Sequence, residues 1–251
     1  MRTLNTWSVR ALCNALRLKG MKVSPVVDPL LQRSIGQLSL PGILVDCRSI
    51  SPGDEWALLE EEERSIASHV INVRRASGAA RIVGRQLLTQ LGYRECAIPK
   101  DLSGAPLWPA GIIGSFAHDD DVAVAAITHR RDISAVGIDV EPAELLPVEV
   151  HELIATPQEQ SINYSDPYRG RLLFAAKEAV YKAISALDGI FLEYHDIEVD
   201  LAARQATLRD GRIIGLRYCA STHLIVLALV PRSDLASPIC SKRPVVVGNR
   251  R

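Results

Sequence analysis

Gly137-Ile138-Asp139-Val140-Glu141 and Phe174-Ala175-Ala176-Lys177-Glu178-Ala179-Val180-Tyr181-Lys182-Ala183 are the stretches on which the reading of this chain turns. The first alternates. Residues two apart in a strand share a face, so Val136, Ile138 and Val140 point into a core while Asp139 and Glu141 point together to the other side. The second has the helical period, with Leu172, Leu173, Ala176, Ala179, Val180, Ala183, Ile184 and Leu187 gathered on one side. On the opposite arc Lys177, Glu178, Tyr181 and Lys182 fall within about 140°, at about 100° per residue. Like charges as close as Asp139 and Glu141 need a cation between them, and oxygen-only ligation suits Mg²⁺ or Mn²⁺ rather than zinc. With Glu178 and the two lysines, the set suits metal-assisted chemistry on a phosphorylated ligand. Each part also has an ordinary reading: solvated acids at a strand end before Pro142, and a Glu178–Lys182 surface pair at i,i+4.

Upstream, residues 70 to 91 read as a helix that is apolar at Ile82, Val83, Leu87, Leu88 and Leu91 and is ended by Gly92. Arg74, Arg81 and Arg85 fall on nearly one line of it, a stripe that suits either a phosphate or water. The acid run Glu60 to Glu63 reads as the solvated face of a preceding helix. Ser103 to Gly111, with two prolines and two glycines, reads as a rigid apolar wall. Ser115-Phe116-Ala117-His118 places a histidine that either donates to a phosphate or satisfies a loop carbonyl. Val122–Ile127 and Ala135–Glu141 read as two strands paired in a hairpin, and short strands return after the Asp188-Gly189 break. The whole is an α+β chain.

Composition bounds the partners. The 251 residues, 47% hydrophobic and 23% charged, can bury a substantial core. Lys+Arg and Asp+Glu are 29 each, so no overall field draws the chain to nucleic acid or to an anionic membrane. The five cysteines are scattered without a C-x-x-C pair, which argues against a disulfide framework or a zinc site and for a reducing cytoplasm. No apolar run approaches the roughly 18 residues of a membrane span. The histidines lack metal-ligand spacing, and P-loop, nucleophile-elbow and dinucleotide-fold glycine motifs are absent.

G-I-D-V-E followed by F-A-A-K-E-A-V-Y-K-A resembles the signature pair of the large, Sfp-type 4′-phosphopantetheinyl transferases. Pro106 to Gly111 and Gly114 to His118 resemble the W-P-x-G and G-S-[IL]-[SA]-H segments of the enterobactin-synthase subgroup, and Ala79-Ala80-Arg81 stands where that subgroup has A-G-R. The resemblance runs from about Gly42 to Val230. It implies a pseudo-dimer of two α+β lobes, 41–133 and 134–231, with the active site in the cleft between them. Residues 1–40 are left as a basic N-terminal extension and 232–251 as a disordered tail. It further implies a monomer that takes coenzyme A and an apo carrier protein as substrates. Asp139, Glu141 and Glu178 would bind Mg²⁺, and Lys177, Lys182, His118 and Arg81 would hold the coenzyme's phosphates. Glu178 would take the serine proton while Lys177 steadies the leaving phosphate. Ala105 and Ala117 depart from the pattern and bear on the grip on coenzyme A. The rival readings are a coenzyme A-binding protein without catalysis and a Mg²⁺-dependent phosphohydrolase.

Overall fold

The computed structural model describes residues 29–66, 68–161 and 166–232. After helix α1 (Pro29–Gly36) come strand β1 (Ile43–Ser49), a 3₁₀ turn at Asp54–Ala57, α2 (Glu60–Ser65) and α3 (Ile71–Gln90). Strands β2 (Ile112–His118) and β3 (Val122–His129) close the first half. The second half runs β4 (Ala135–Pro142), α4 (Val148–Ile154), α5 (Pro157–Ser161), α6 (Arg169–Asp188), a 3₁₀ turn at Tyr194–Asp196, β5 (Ile197–Asp200), β6 (Gln205–Leu208), β7 (Ile213–Ala220) and β8 (His223–Val230). A strand, a 20-residue helix and antiparallel strands thus occur twice in order. Both long helices stop at left-handed glycines, Gly92 (φ 88°) and Gly189 (φ 67°), where a side chain would be strained.

The strands form two antiparallel sheets, β1-β3-β2 and β4-β8-β7-β6-β5. The expected hairpin of residues 122–127 with 135–141 is not formed. Strand β3 is central in its sheet, with both edges taken by β1 and β2, and β4 pairs instead with β8, Asp139 opposite Val226. The hairpin partner of β3 is β2, turned at Asp119, whose Oδ1 accepts the N–H groups of Asp121 and Val122 at 2.8 Å.

Alternation along these strands builds four layers. On β3, Val124 and Ala126 face the second sheet, while Ala125 and Ile127 meet Val83, Leu87 and Leu88 of α3. On β4, Val136, Ile138 and Val140 meet the first sheet, and the opposite face lies under α6. Asp139 and Glu141 do share a face, as alternation predicts. That face is nonetheless covered, leaving Asp139 fully buried and Glu141 3% exposed. Each fully buried Val or Ile at the sheet–sheet contact contributes about 1.5–3 kcal/mol.

Residues 29–40 are not separate from this body, as the sequence reading had them. Leu31, Ile35 and Leu38 are buried in the cluster between the sheets, and Arg217 of β7 donates to the Gln37 carbonyl at 2.8 Å. The i, i+4, i+7 spacing of those three apolar side chains gives α1 a face to bury, which the basic residues around it obscured. The rest of the extension (1–28) and the tail from 233 lie outside the described residues.

Candidate active site

The close fit of α6 on β4 organises the acids. Gly137 has no side chain, and the backbone of Ala179 and Ala183 lies where one would be. From that contact, Arg171, Glu178 and Lys182 recur at seven and four residues, which sets them along one line of α6. Lys182 Nζ donates to Asp139 Oδ1 at 2.6 Å and to the Ile138 carbonyl at 3.1 Å. Arg171 Nη1 donates to Glu141 Oε2 at 3.0 Å, and its Nη2 to the Leu145 carbonyl. Glu178, 5% exposed, accepts from the Tyr194 hydroxyl at 2.5 Å, a charge-assisted length. The structure therefore pairs Asp139 with Lys182 and Glu141 with Arg171 across β4 and α6, and ties Glu178, on the same line of α6, to the 194–196 turn.

Lys177 is not on that face. Its Nζ donates to the carbonyls of Ile154, Tyr194 and Ile197 at 2.8–2.9 Å and pairs with Glu159 Oε2 at 2.7 Å. The side chain is fully buried, and burial pulls its ammonium below the usual lysine range, with the Glu159 charge opposing. The sequence reading had it holding a phosphate from a solvated arc. That fails because α6 is covered on both sides, by β4 and β8 on one and by α4, α5 and the turn at 194–196 on the other. Lys177→Met should leave Glu159 and three carbonyls without their cation and destabilise the fold by about 3 kcal/mol or more. Urea denaturation midpoints check this; a variant of unchanged stability that loses only coenzyme affinity would return Lys177 to the phosphate role.

In the first half the arginine stripe finds protein partners. Arg74 pairs with Glu63 at 2.5 Å, and Arg85 Nη1 forks onto both oxygens of Glu62 at 2.7 and 2.8 Å. Glu62 is wholly buried and also accepts the N–H groups of Leu59 and Ile98. The acid run is thus no simple solvated face; two of its members anchor α2 to α3. Arg81 differs from its neighbours. At 2% exposure it donates to the Ile98 and Ser77 carbonyls, yet its Nη2 has no hydrogen-bond partner among the described residues. Lys100 is close enough that burial and the Arg81 charge both push its ammonium down. Phe116 lies under the Arg81 guanidinium, 5.8 Å from ring centre to Cζ, and packs tilted against Trp108 at 4.7 Å, while most of the Pro-Gly loop around Trp108 is exposed rather than the wall its composition predicts.

His118 ends β2, exposed, with Nδ1 3.3 Å from the Asp119 carbonyl. Asp119 Oδ2 meets His223 Nε2 at 3.1 Å, and His223 is the register partner of Pro142. Burial raises the Asp119 carboxyl, but the His223 bond and charge and the two turn N–H groups outweigh it and hold the group below the usual range. This pair fastens the His118 end of β2 to the Glu141 end of β4, which places His118 at the border of the two halves.

With that geometry in place, similarity to known proteins decides the family. A family model for the 4′-phosphopantetheinyl transferase N-terminal domain matches residues 61–133, and one for the 4′-phosphopantetheinyl transferase superfamily matches 135–237. The chain is 32% identical over 199 residues to 4′-phosphopantetheinyl transferase Svp of Streptomyces mobaraensis, covering 71% of this chain and 81% of that one. The chain belongs to the 4′-phosphopantetheinyl transferase superfamily. It is also 35% identical over 153 residues to transferase Npt of Nocardia iowensis (60% of this chain, 69% of that one). To enterobactin synthase component D of Salmonella typhi it is 34% identical over 117 residues (43% and 46%). The two family matches meet between β3 and β4, where the first sheet gives way to the second.

The donor chemistry of the transferase's acid face fits Mg²⁺, since it is all carboxylate and comes from two tightly packed elements. As they stand, no three such side chains among the described residues are gathered closely enough to ring a metal, and Lys182 and Arg171 hold Asp139 and Glu141. Mg²⁺ keeps several waters and takes only one or two carboxylates, so the set suffices without all three. Sequence reasoning missed Arg171, Lys100 and Tyr194. Arg171 was legible as the residue two turns before Glu178; Tyr194, beyond the helix, carried no local signal.

Proposed function

We propose that this transferase moves the 4′-phosphopantetheine arm of coenzyme A onto a serine of an apo acyl, peptidyl or aryl carrier protein, using Mg²⁺ or Mn²⁺ and releasing adenosine 3′,5′-bisphosphate. The observation that carries the reading is the buried junction of β4 and α6, where Lys182 holds Asp139 and Arg171 holds Glu141, with buried Glu178 on the same line of α6. Three acids each buried at the cost of desolvation suit a cation better than they suit packing. Asp139 and Glu178, with Glu141, would hold the metal, which when bound would neutralise charge on the coenzyme's pyrophosphate.

The chain's own groups do the rest. Lys182, about a quarter exposed where Lys177 is sealed, is the motif lysine placed to meet a phosphate. Arg81 and Lys100 offer the coenzyme cationic donors, Arg81 with an unused N–H group, and His118 faces solvent at the end of β2. Glu178 accepts the serine proton, directly or through one water. The serine oxygen bonds to phosphorus as the phosphorus–oxygen bond to the bisphosphate breaks. No helix among the described residues is long and apolar enough to cross a membrane. The chain is taken to work as a monomer in a reducing cytoplasm, a setting that the free thiols Cys47, Cys96 and Cys219 suit.

Mass spectrometry of a panel of apo carrier proteins incubated with the chain, coenzyme A and Mg²⁺ tests this. One carrier should gain the mass of the phosphopantetheine arm, and EDTA should stop the gain. Coenzyme A binding without any mass gain would favour the binding protein, and bisphosphate release without an acceptor the hydrolase.

A further inference from the structure

Resting on the transferase reading, we propose that Tyr194 is a positioning residue for Glu178 and that Lys177 acts through it. The consecutive residues Lys177 and Glu178 leave α6 and fasten to one residue of the 194–196 turn. Lys177 Nζ grips its main chain, at 2.9 Å from the Tyr194 carbonyl, and Glu178 Oε1 takes its phenol at 2.5 Å. The phenol can hold the carboxylate only where the turn puts it. The turn is fixed at three more points: Lys177 on the Ile197 carbonyl, Asp196 Oδ2 accepting the Glu193 N–H, and the Tyr194 ring, 6% exposed, against Phe174 at 6.0 Å.

Fixing one carboxylate oxygen fixes the plane of the group, and with it the direction of the other oxygen. That matters for a group asked to ligate a metal and to take a proton, since supporting hydrogen bonds commonly change metal affinity or activity by about 10–100-fold. The Lys-Glu pair of the helix motif then divides its work: Glu178 acts at the reacting atoms, and Lys177 holds the turn that aims it. It also accounts for a lysine sealed from solvent within a stretch that otherwise faces a phosphate site.

Tyr194→Phe tests the inference, because it removes one hydroxyl and keeps the ring. Mn²⁺ binding to the full chain, read from the electron paramagnetic resonance of free Mn²⁺ with no coenzyme or carrier present, should weaken about tenfold. In the carrier assay kcat should fall about tenfold while KM for coenzyme A stays within about twofold. In a Glu178→Gln background the same substitution should change neither. Loss that persists in that background overturns the inference, as does a Tyr194→Phe protein that melts lower yet binds Mn²⁺ and turns over like wild type. Wild-type protein that binds Mn²⁺ but loads no carrier sinks the reaction assigned above instead, a result separate from either of these.

Discussion

An alanine at position 137 should abolish the folded protein. A Cβ there would stand 1.9 Å from the Ala179 carbonyl oxygen and 2.8 Å from the Ala183 N–H nitrogen, both backbone atoms of α6. No rotamer change relieves a clash between main chains. The helix must lift from β4, and with it go the packing of Ala175, Ala176, Ala179 and Val180 and the reach of Lys182 to Asp139. Overpacking of a yielding core costs about 1–3 kcal/mol. Here the neighbour cannot yield, and the cost should exceed the exceptional ~4–5 kcal/mol range against a typical total of about 5–15 kcal/mol. Gly189→Ala is the contrast: nothing lies within 4 Å of that Cβ, and only the left-handed backbone is strained, so about 1 kcal/mol should be lost. Soluble yield and thermal melts followed by circular dichroism decide; a Gly137→Ala protein melting within a few degrees of wild type would show that α6 stands off β4.

This glycine shows what the sequence could and could not say. The period of the 169–188 segment announced a helix, and alternation announced β4, because both are local properties of side-chain spacing. That the helix would rest on the strand at Gly137 is a fact about two segments far apart in the chain, and nothing at either end encodes it alone. The same limit explains the hairpin error. Strands 122–129 and 135–142 are adjacent in sequence and suitably patterned, but β3 already had β1 and β2 at its edges.

Side-chain roles divided in the same way. Helix geometry set Glu178 and Lys182 on an arc away from the core, yet Glu178 is buried and Lys182 reaches Asp139 on β4. It placed Lys177 there too, because an angle names a direction and not what fills it; the α4–α5 segment fills it. The Arg74, Arg81 and Arg85 line was read correctly as a line. Its partners Glu62 and Glu63 lay in a run that looked merely soluble, and buried Arg81 keeps an Nη2 with no hydrogen-bond partner among the described residues.

Asp139→Asn should cost the second large effect, on rate and not on folding. Asparagine keeps the shape, and its side-chain oxygen can still accept from Lys182 Nζ, which now lies 2.6 Å from the carboxylate. What disappears is the charge. A fully buried carboxylate without a cation is costly, so Asp139 is tolerated because Lys182 sits against it, and removing the charge leaves a lysine that is about a quarter exposed and able to turn to water. Stability should therefore fall by less than the roughly 3–5 kcal/mol of breaking a buried pair outright. Under the reading proposed above, the metal would by contrast lose its one charged donor at the centre of β4, between the strand's pairing with β8 and the cover of α6. Loss of electrostatic stabilisation at one such position typically slows a reaction by about 10²–10³-fold. Initial rates of carrier loading at saturating coenzyme A should fall by that factor, and Mn²⁺ binding measured without substrates should weaken in parallel. Lys182→Ala separates the two partners. It strips Asp139 of its cation and should tighten Mn²⁺ binding while slowing transfer, because the acid is freed for the metal as the phosphate contact is lost. If Asp139→Asn loads carrier within about tenfold of wild type, the acid face is a packing device and the metal sits elsewhere.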